Sequence, residues 1–124
     1  MTARGGDCYE SAFHRLMEYE RRGETAYLVH AEVSGQEELA GRRFGHAWVE
    51  RVVEIGASAT ARFVMVEDHS NGREIELPRG FYYDVGCVVE EPGKWAKYTY
   101  REAARWATRT GHYGSWELDC EKEG

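Results

Sequence analysis

The sequence predicts an α+β fold: an N-terminal helix carrying a cysteine, packed on an antiparallel β-sheet carrying a histidine and an aspartate, with a further helix in the C-terminal third. Three observations carry this. Residues 7–22 repeat apolar side chains at helical spacing behind a capping residue. The stretch from 25 to 77 breaks into β-rich runs separated by short turn sequences. Residues 99–111 have the start and stop signals of a second helix. The 124 residues make one domain, 1–124, and folding at this size buries roughly two-thirds of the unfolded chain's surface.

Taken in order, Asp7 N-caps the first helix and Glu10 is placed to complete a capping box. Ala12, Phe13, Leu16, Met17 and Tyr19 supply the apolar spacing, and Arg21-Arg22-Gly23 suits its C-terminal end. On this placement Cys8 is the first helical residue. Residues 25–34 form a strand, with Tyr27, Val29, Ala31 and Val33 on one face and Leu28, His30 and Glu32 on the other. Residues 35–42, with Gln36, are a polar connection, either a short helical turn or a loop bordering the site. Residues 43–54 form the next strand, with His46, Trp48, Glu50 and Val52 on one face.

Gly56-Ala57-Ser58 is turn material, and residues 60–67 form a third strand with Asp68 just past its end. His69-Ser70-Asn71-Gly72 reads as a tight turn, residues 73–77 as a short strand stopped by Pro78, and residues 81–89 as one or two more strands with Gly86 at a bulge. Glu90-Glu91-Pro92-Gly93 is a turn. Thr99 then N-caps a helix with Glu102 at the capping-box position, and Gly111 closes it. The segment from Gly114 to Leu118 is expected to pack back through Trp116 and Leu118, and the last few residues to fray.

Hydrophobic content of 42% with 13% aromatic is that of a folded globular chain. The net charge of -6, with acidic and basic residues interspersed, argues against nucleic-acid phosphates as the main partner. No apolar run approaches the ~18 residues of a membrane helix, and no signal-peptide pattern precedes the first helix. Cys8, Cys87 and Cys120 are odd in number and lack metal-ligand spacing, so reduced thiols in a cytoplasmic protein are the simplest account, with no cofactor and no metal. A disulfide between Cys87 and Cys120 stays open.

The chemistry converges on three residues. The short turn between the second and third strands makes them an antiparallel pair, which brings Asp68 near the start of the strand that carries His46. One ring nitrogen of His46 then serves Asp68 and the other a thiol. A helix N-terminus favours a thiolate at Cys8, and its free N–H groups suit an oxyanion.

Gly-Asp-Cys-Tyr at the head of a helix, Gly-His-Ala-Trp-Val-Glu on a strand, and Val-Glu-Asp-His-Ser-Asn on the next resemble the transglutaminase-like branch of the papain-like cysteine enzymes. The resemblance covers roughly residues 7–71 and implies Cys8 as nucleophile, His46 as general base and acid, and Asp68 as the group that orients His46. It implies acyl transfer through a Cys8 thioester on a peptide, protein or small amide, with hydrolysis, deamidation and transamidation all open. Two departures stand out. Papain-like proteases usually place a Gln a few residues before the nucleophile, whereas Thr2 to Gly6 here contain none. Gln36 and Trp48 are the candidates for substrate or oxyanion contact, Gln36 only if its loop folds over Cys8. The chain is also too short for a second domain forming a long cleft.

Blander readings compete at each position. Cys8 also reads, as the lesser alternative, as a small buried hydrophobe at a helix start, His46 as a strand histidine with a hydrogen-bond partner, and Asp68 as a turn former. Trp48 reads more readily as core than as a substrate contact. The aromatic set Phe81, Tyr82, Tyr83, Trp95, Tyr98 and Tyr100 reads as core or interface. A catalytically inactive core serving as a protein-binding module is the alternative to the enzyme.

Overall fold

The computed structural model describes residues 4–35, 41–56, 61–70 and 73–122. It is α+β, with helix α1 (Arg4–Arg21), strands β1 (Ala26–Ser34), β2 (Arg43–Ile55), β3 (Ala61–Ser70) and β4 (Arg73–Pro78), helix α2 (Arg79–Gly86), strand β5 (Trp95–Tyr98), helix α3 (Tyr100–Thr110) and the short α4 (Asp119–Lys122). The sheet is antiparallel in the order β4-β3-β2-β1-β5. No helix is long and apolar enough to cross a membrane among the described residues.

Both faces of the sheet are covered, which explains why β1 and β2 are apolar on both sides. On one face Leu28, Ala47 and Val49 meet the α1 stripe of Cys8, Tyr9, Ala12, Phe13, Leu16 and Tyr19, with Ala103 of α3 and Trp116 joining. On the other, Val29, Ala31, Trp48 and Val66 pack with Tyr83 of α2. Leu28, Val29, Val49 and Val66 are fully buried, each such side chain stabilising the fold by about 1.5–3 kcal/mol relative to exposure.

Several elements depart from the sequence reading. Helix α1 begins at Arg4, so Asp7 lies inside it and Cys8 is not its first residue. Gly5 and Gly6 cost about 1 kcal/mol each in helix propensity but carry no side chain to oppose the turn. Strand β3 runs through Ser70, so Asp68 sits within it rather than past its end, paired with Ile75 of β4.

Of residues 81–89, read as strand, 81–86 lie in helix α2 and 87–89 follow it outside any strand. Pro78, at φ -58, stands at its N-cap, and Cys87, left-handed at φ 53, ends it. Its N–H and that of Val88 bond the carbonyls of Asp84 and Tyr83. Gly86 is the last residue of this helix and packs near Val33 rather than forming a bulge. Strand β5 has no counterpart in the sequence reading; it pairs with β1, Ala31 opposite Trp95 and Leu28 opposite Tyr98.

Other expectations hold. Thr99 and Glu102 form a reciprocal capping box on α3, and Gly111 closes it at φ 81. Trp116 and Leu118 are buried, and Trp116 stacks on Trp106 with ring centroids 5.8 Å apart. Beyond them the chain forms α4, its Asp119 N–H bonded to the Gly93 carbonyl at 2.8 Å, and the end of the segment expected to fray lies outside the described residues. None of the three cysteines is in a disulfide; Cys8 is buried, and Cys87 and Cys120 are exposed.

Candidate active site

The β-ladder opens where the site lies. Strand β2 pairs with β1 from Ser34↔Arg43 to Ala26↔Arg51, but its pairing with β3 starts only at Val49↔Glu67. Strand β3 in turn stays bonded to β4 out to Ser70↔Arg73. The first half of β2 and the last three residues of β3 therefore lack each other as ladder partners. His46 and Asp68 bridge that gap with their side chains, His46 Nε2 donating to Asp68 Oδ2 at 2.8 Å.

Cys8 belongs to the helix on the opposite face of the sheet and nevertheless is in hydrogen-bond contact with His46. With Nε2 engaged by Asp68, Nδ1 is the ring nitrogen left for the thiol. In a helix each Cα–Cβ bond tilts toward the N-terminus, so the Cys8 side chain projects back over the preceding turn. The four N–H groups without intrahelical partners precede Cys8 in a helix that starts at Arg4. The free N–H groups expected to suit an oxyanion therefore belong to the turn that precedes Cys8.

The three groups are enclosed: Cys8 is 3% exposed, and the side chains of His46 and Asp68 are 14% and 9% exposed. Burial acts against a charged imidazole at His46 and is the largest influence on it. The hydrogen bonds and charges of Asp68 and Cys8 outweigh it and raise its pKa to about 10. His46 is thus held as an imidazolium between Cys8 and Asp68.

The sequence candidates fall out unevenly. Cys8, His46 and Asp68 come together. Trp48 is fully buried, and its indole N–H donates to Glu50 Oε2 at 3.0 Å, so it offers nothing to an oxyanion or substrate. Its aromatic neighbours are His46, Tyr82 and Tyr83. Gln36 lies outside the described residues. Glu67 faces α1 as its strand position required, bonded to Tyr19, Arg15 and Arg51. Those partners and His69 overcome its burial and lower its pKa to about 2.

Two residues escaped sequence reasoning. Tyr82 donates its hydroxyl to Asp68 Oδ2, the same oxygen that receives His46. Glu50, fully buried, accepts from Trp48, Tyr83 and Arg79. The adjacent tyrosines were visible, but a strand reading of residues 81–89 sends consecutive side chains to opposite faces. A helix lets both approach the sheet. Among the described residues, no three His, Cys, Asp or Glu side chains converge as metal ligands would.

The arrangement is a thiol, an imidazole and a carboxylate in hydrogen-bonded sequence. Compared with protein-family models, with curated proteins and with solved structures, the chain matches none.

Proposed function

We propose that this chain is a cysteine-dependent acyl-transfer enzyme with a transglutaminase-like or papain-like core. The observation that carries the reading is the Cys8–His46–Asp68 relay, with the 2.8 Å His46–Asp68 bond on one side of the ring and Cys8 on the other. In the reaction the Cys8 thiolate attacks an amide or ester carbonyl to give a tetrahedral intermediate. His46 delivers its proton to the leaving amine or ammonia as the thioester forms. The acceptor then gives a proton to His46 and displaces Cys8. Water yields hydrolysis or deamidation, and an amine yields transamidation. Asp68 keeps the ring oriented and its positive charge compensated. The substrate is a peptide, a protein or a small amide, and the site of action is the cytoplasm, where thiols stay reduced.

The test is peptide-resolved alkylation by iodoacetamide across pH, in the wild type and in His46→Ala. Cys87 and Cys120 are exposed and serve as controls, so accessibility alone predicts that Cys8 reacts last. The enzyme reading requires the reverse order near pH 6, and requires His46→Ala to abolish the advantage. Selective alkylation of Cys8 must also abolish turnover of an amide substrate.

The near-complete burial of Cys8 favours a second reading, a catalytically inactive core that binds a protein partner. It takes over if Cys8 reacts no faster than the controls and His46→Ala changes nothing.

A further inference from the structure

We propose that Tyr82 is a positioning residue of the site, fixing the carboxylate of Asp68 in the ionised state and orientation that His46 requires. The proposal rests on the acyl-transfer reading for its functional meaning, though its geometry stands apart from it. Asp68 Oδ2 takes two donors, the His46 imidazole from β2 and the Tyr82 hydroxyl from α2. Cys8 of α1 lies beyond His46, and β4 sets the apolar Ile75 opposite Asp68 in the ladder.

A carboxylate whose side chain is only 9% exposed has lost most of its water, so each donated hydrogen bond counts heavily toward keeping it charged. Tyr82 is suited to that task. Burial, and then the charge of Asp68, hold its own ionisation above the ordinary tyrosine value, so it remains a donor throughout the working pH range. Its ring packs edge-on against Trp48, with centroids 4.9 Å apart.

The neighbouring residue explains how Tyr82 is kept in place. Tyr83 donates to Glu50 and accepts from the Trp95 indole at 3.0 Å, while Arg79 lies 4.1 Å from the centre of its ring. Two consecutive hydroxyls of α2 thus cap two carboxylates on the same face of β2 and β3. Rotation of α2 breaks both contacts together. The helix is joined to the sheet by Tyr83 and to the chemistry by Tyr82.

Removing the Tyr82 hydroxyl has two opposing effects. It ends competition for Oδ2, which strengthens the His46 contact, and it withdraws a donor from a desolvated anion. The second dominates the proton affinity of Asp68, because loss of a hydrogen bond to the charged form raises a carboxyl's pKa directly. The expected upward shift of the Asp68 midpoint in Tyr82→Phe is about one pH unit, a tenfold change in proton affinity.

The chain has four aspartates, so carboxyl 13C NMR of protein labelled at aspartate resolves Asp68, with Asp68→Asn assigning the signal. The proposal requires the Asp68 midpoint to rise in Tyr82→Phe and to rise by clearly less in Tyr83→Phe, which removes the hydroxyl on Glu50 and keeps the one on Asp68. An unchanged midpoint in folded Tyr82→Phe overturns it, and so does an equal rise in Tyr83→Phe. Should Tyr82→Phe not fold, 3-fluorotyrosine at position 82 gives a stronger donor and must lower the midpoint; no change there is equally fatal. The alkylation profile separates this claim from the enzyme reading. A raised Asp68 midpoint with a Cys8 no more reactive than Cys87 leaves Tyr82 in its role and removes the enzyme.

Discussion

The charge on His46 depends on Asp68 more than on any property of the ring itself. Burial alone lowers an imidazole's pKa, as His30 shows: fully buried, beside His112, it falls to about 3. His46 is comparably enclosed, yet rises to about 10 because Asp68 and Cys8 face it. Asp68→Asn keeps the shape and deletes the charge, so its His46 should titrate well below 10, followed by ring NMR. A midpoint that stays near 10 would place the cause elsewhere. At this scale the sequence was informative about the relay, because a short hairpin with period-two alternation forces His46 and Asp68 to one face of adjacent strands. Tyr82 was illegible, since its meaning depends on which element carries it.

Elements were legible where local chemistry decides them. The capping box at Thr99 and Glu102 is written in four residues, and it forms as written. Thr99→Ala should cost about 1 kcal/mol in denaturant unfolding, with alkylation of Cys8 unchanged, because α3 does not touch the relay. Gly114 presents the opposite case, a residue whose importance only the fold discloses. It adopts φ +134, and a Cβ there would lie 2.5 Å from His30 Cε1 and 2.9 Å from Tyr9 Cδ1. Gly114→Ala should therefore destabilise the protein by about 2 kcal/mol or more, from backbone strain and overpacking combined. A melting temperature equal to wild type would refute that. Helix α2 was misread and strand β5 missed for a related reason. Their short runs carry mixed signals, and tertiary contacts such as Tyr83 with Glu50 settle the outcome.

The whole molecule responds to acid through its buried groups. His30 is neutral when folded and takes up a proton only below about 3, whereas the unfolded chain binds one near 6.5. Its presence therefore costs stability as pH falls below 6.5, roughly 2 kcal/mol between pH 7 and 5. His46 runs the other way, its contribution complete below 6.5 and lost as pH rises toward 10. Glu67 contributes above its ordinary 4.5 and loses that only as pH falls toward 2. Comparing the pH dependence of melting in the wild type and His30→Phe isolates the first effect, since the other two groups are common to both. The variant should lose less stability than the wild type between pH 7 and 5; parallel curves would contradict the assignment.

The aromatic wall behind the nucleophile also imposes an order in time. Every residue of the relay has been synthesised once the ribosome passes Asp68. Yet His30, which meets the ring of Tyr9 next to Cys8, is packed on its other sides by Tyr98 and Trp116. A nascent chain stalled at Gly93 thus holds thiol, imidazole and carboxylate without β5, α3 or Trp116 to seat α1 against the sheet. Such a chain should show no preferential labelling of Cys8. On the proposed acyl-transfer reading, the thiol therefore stays unreactive until Trp116 is available to seat α1 against the sheet.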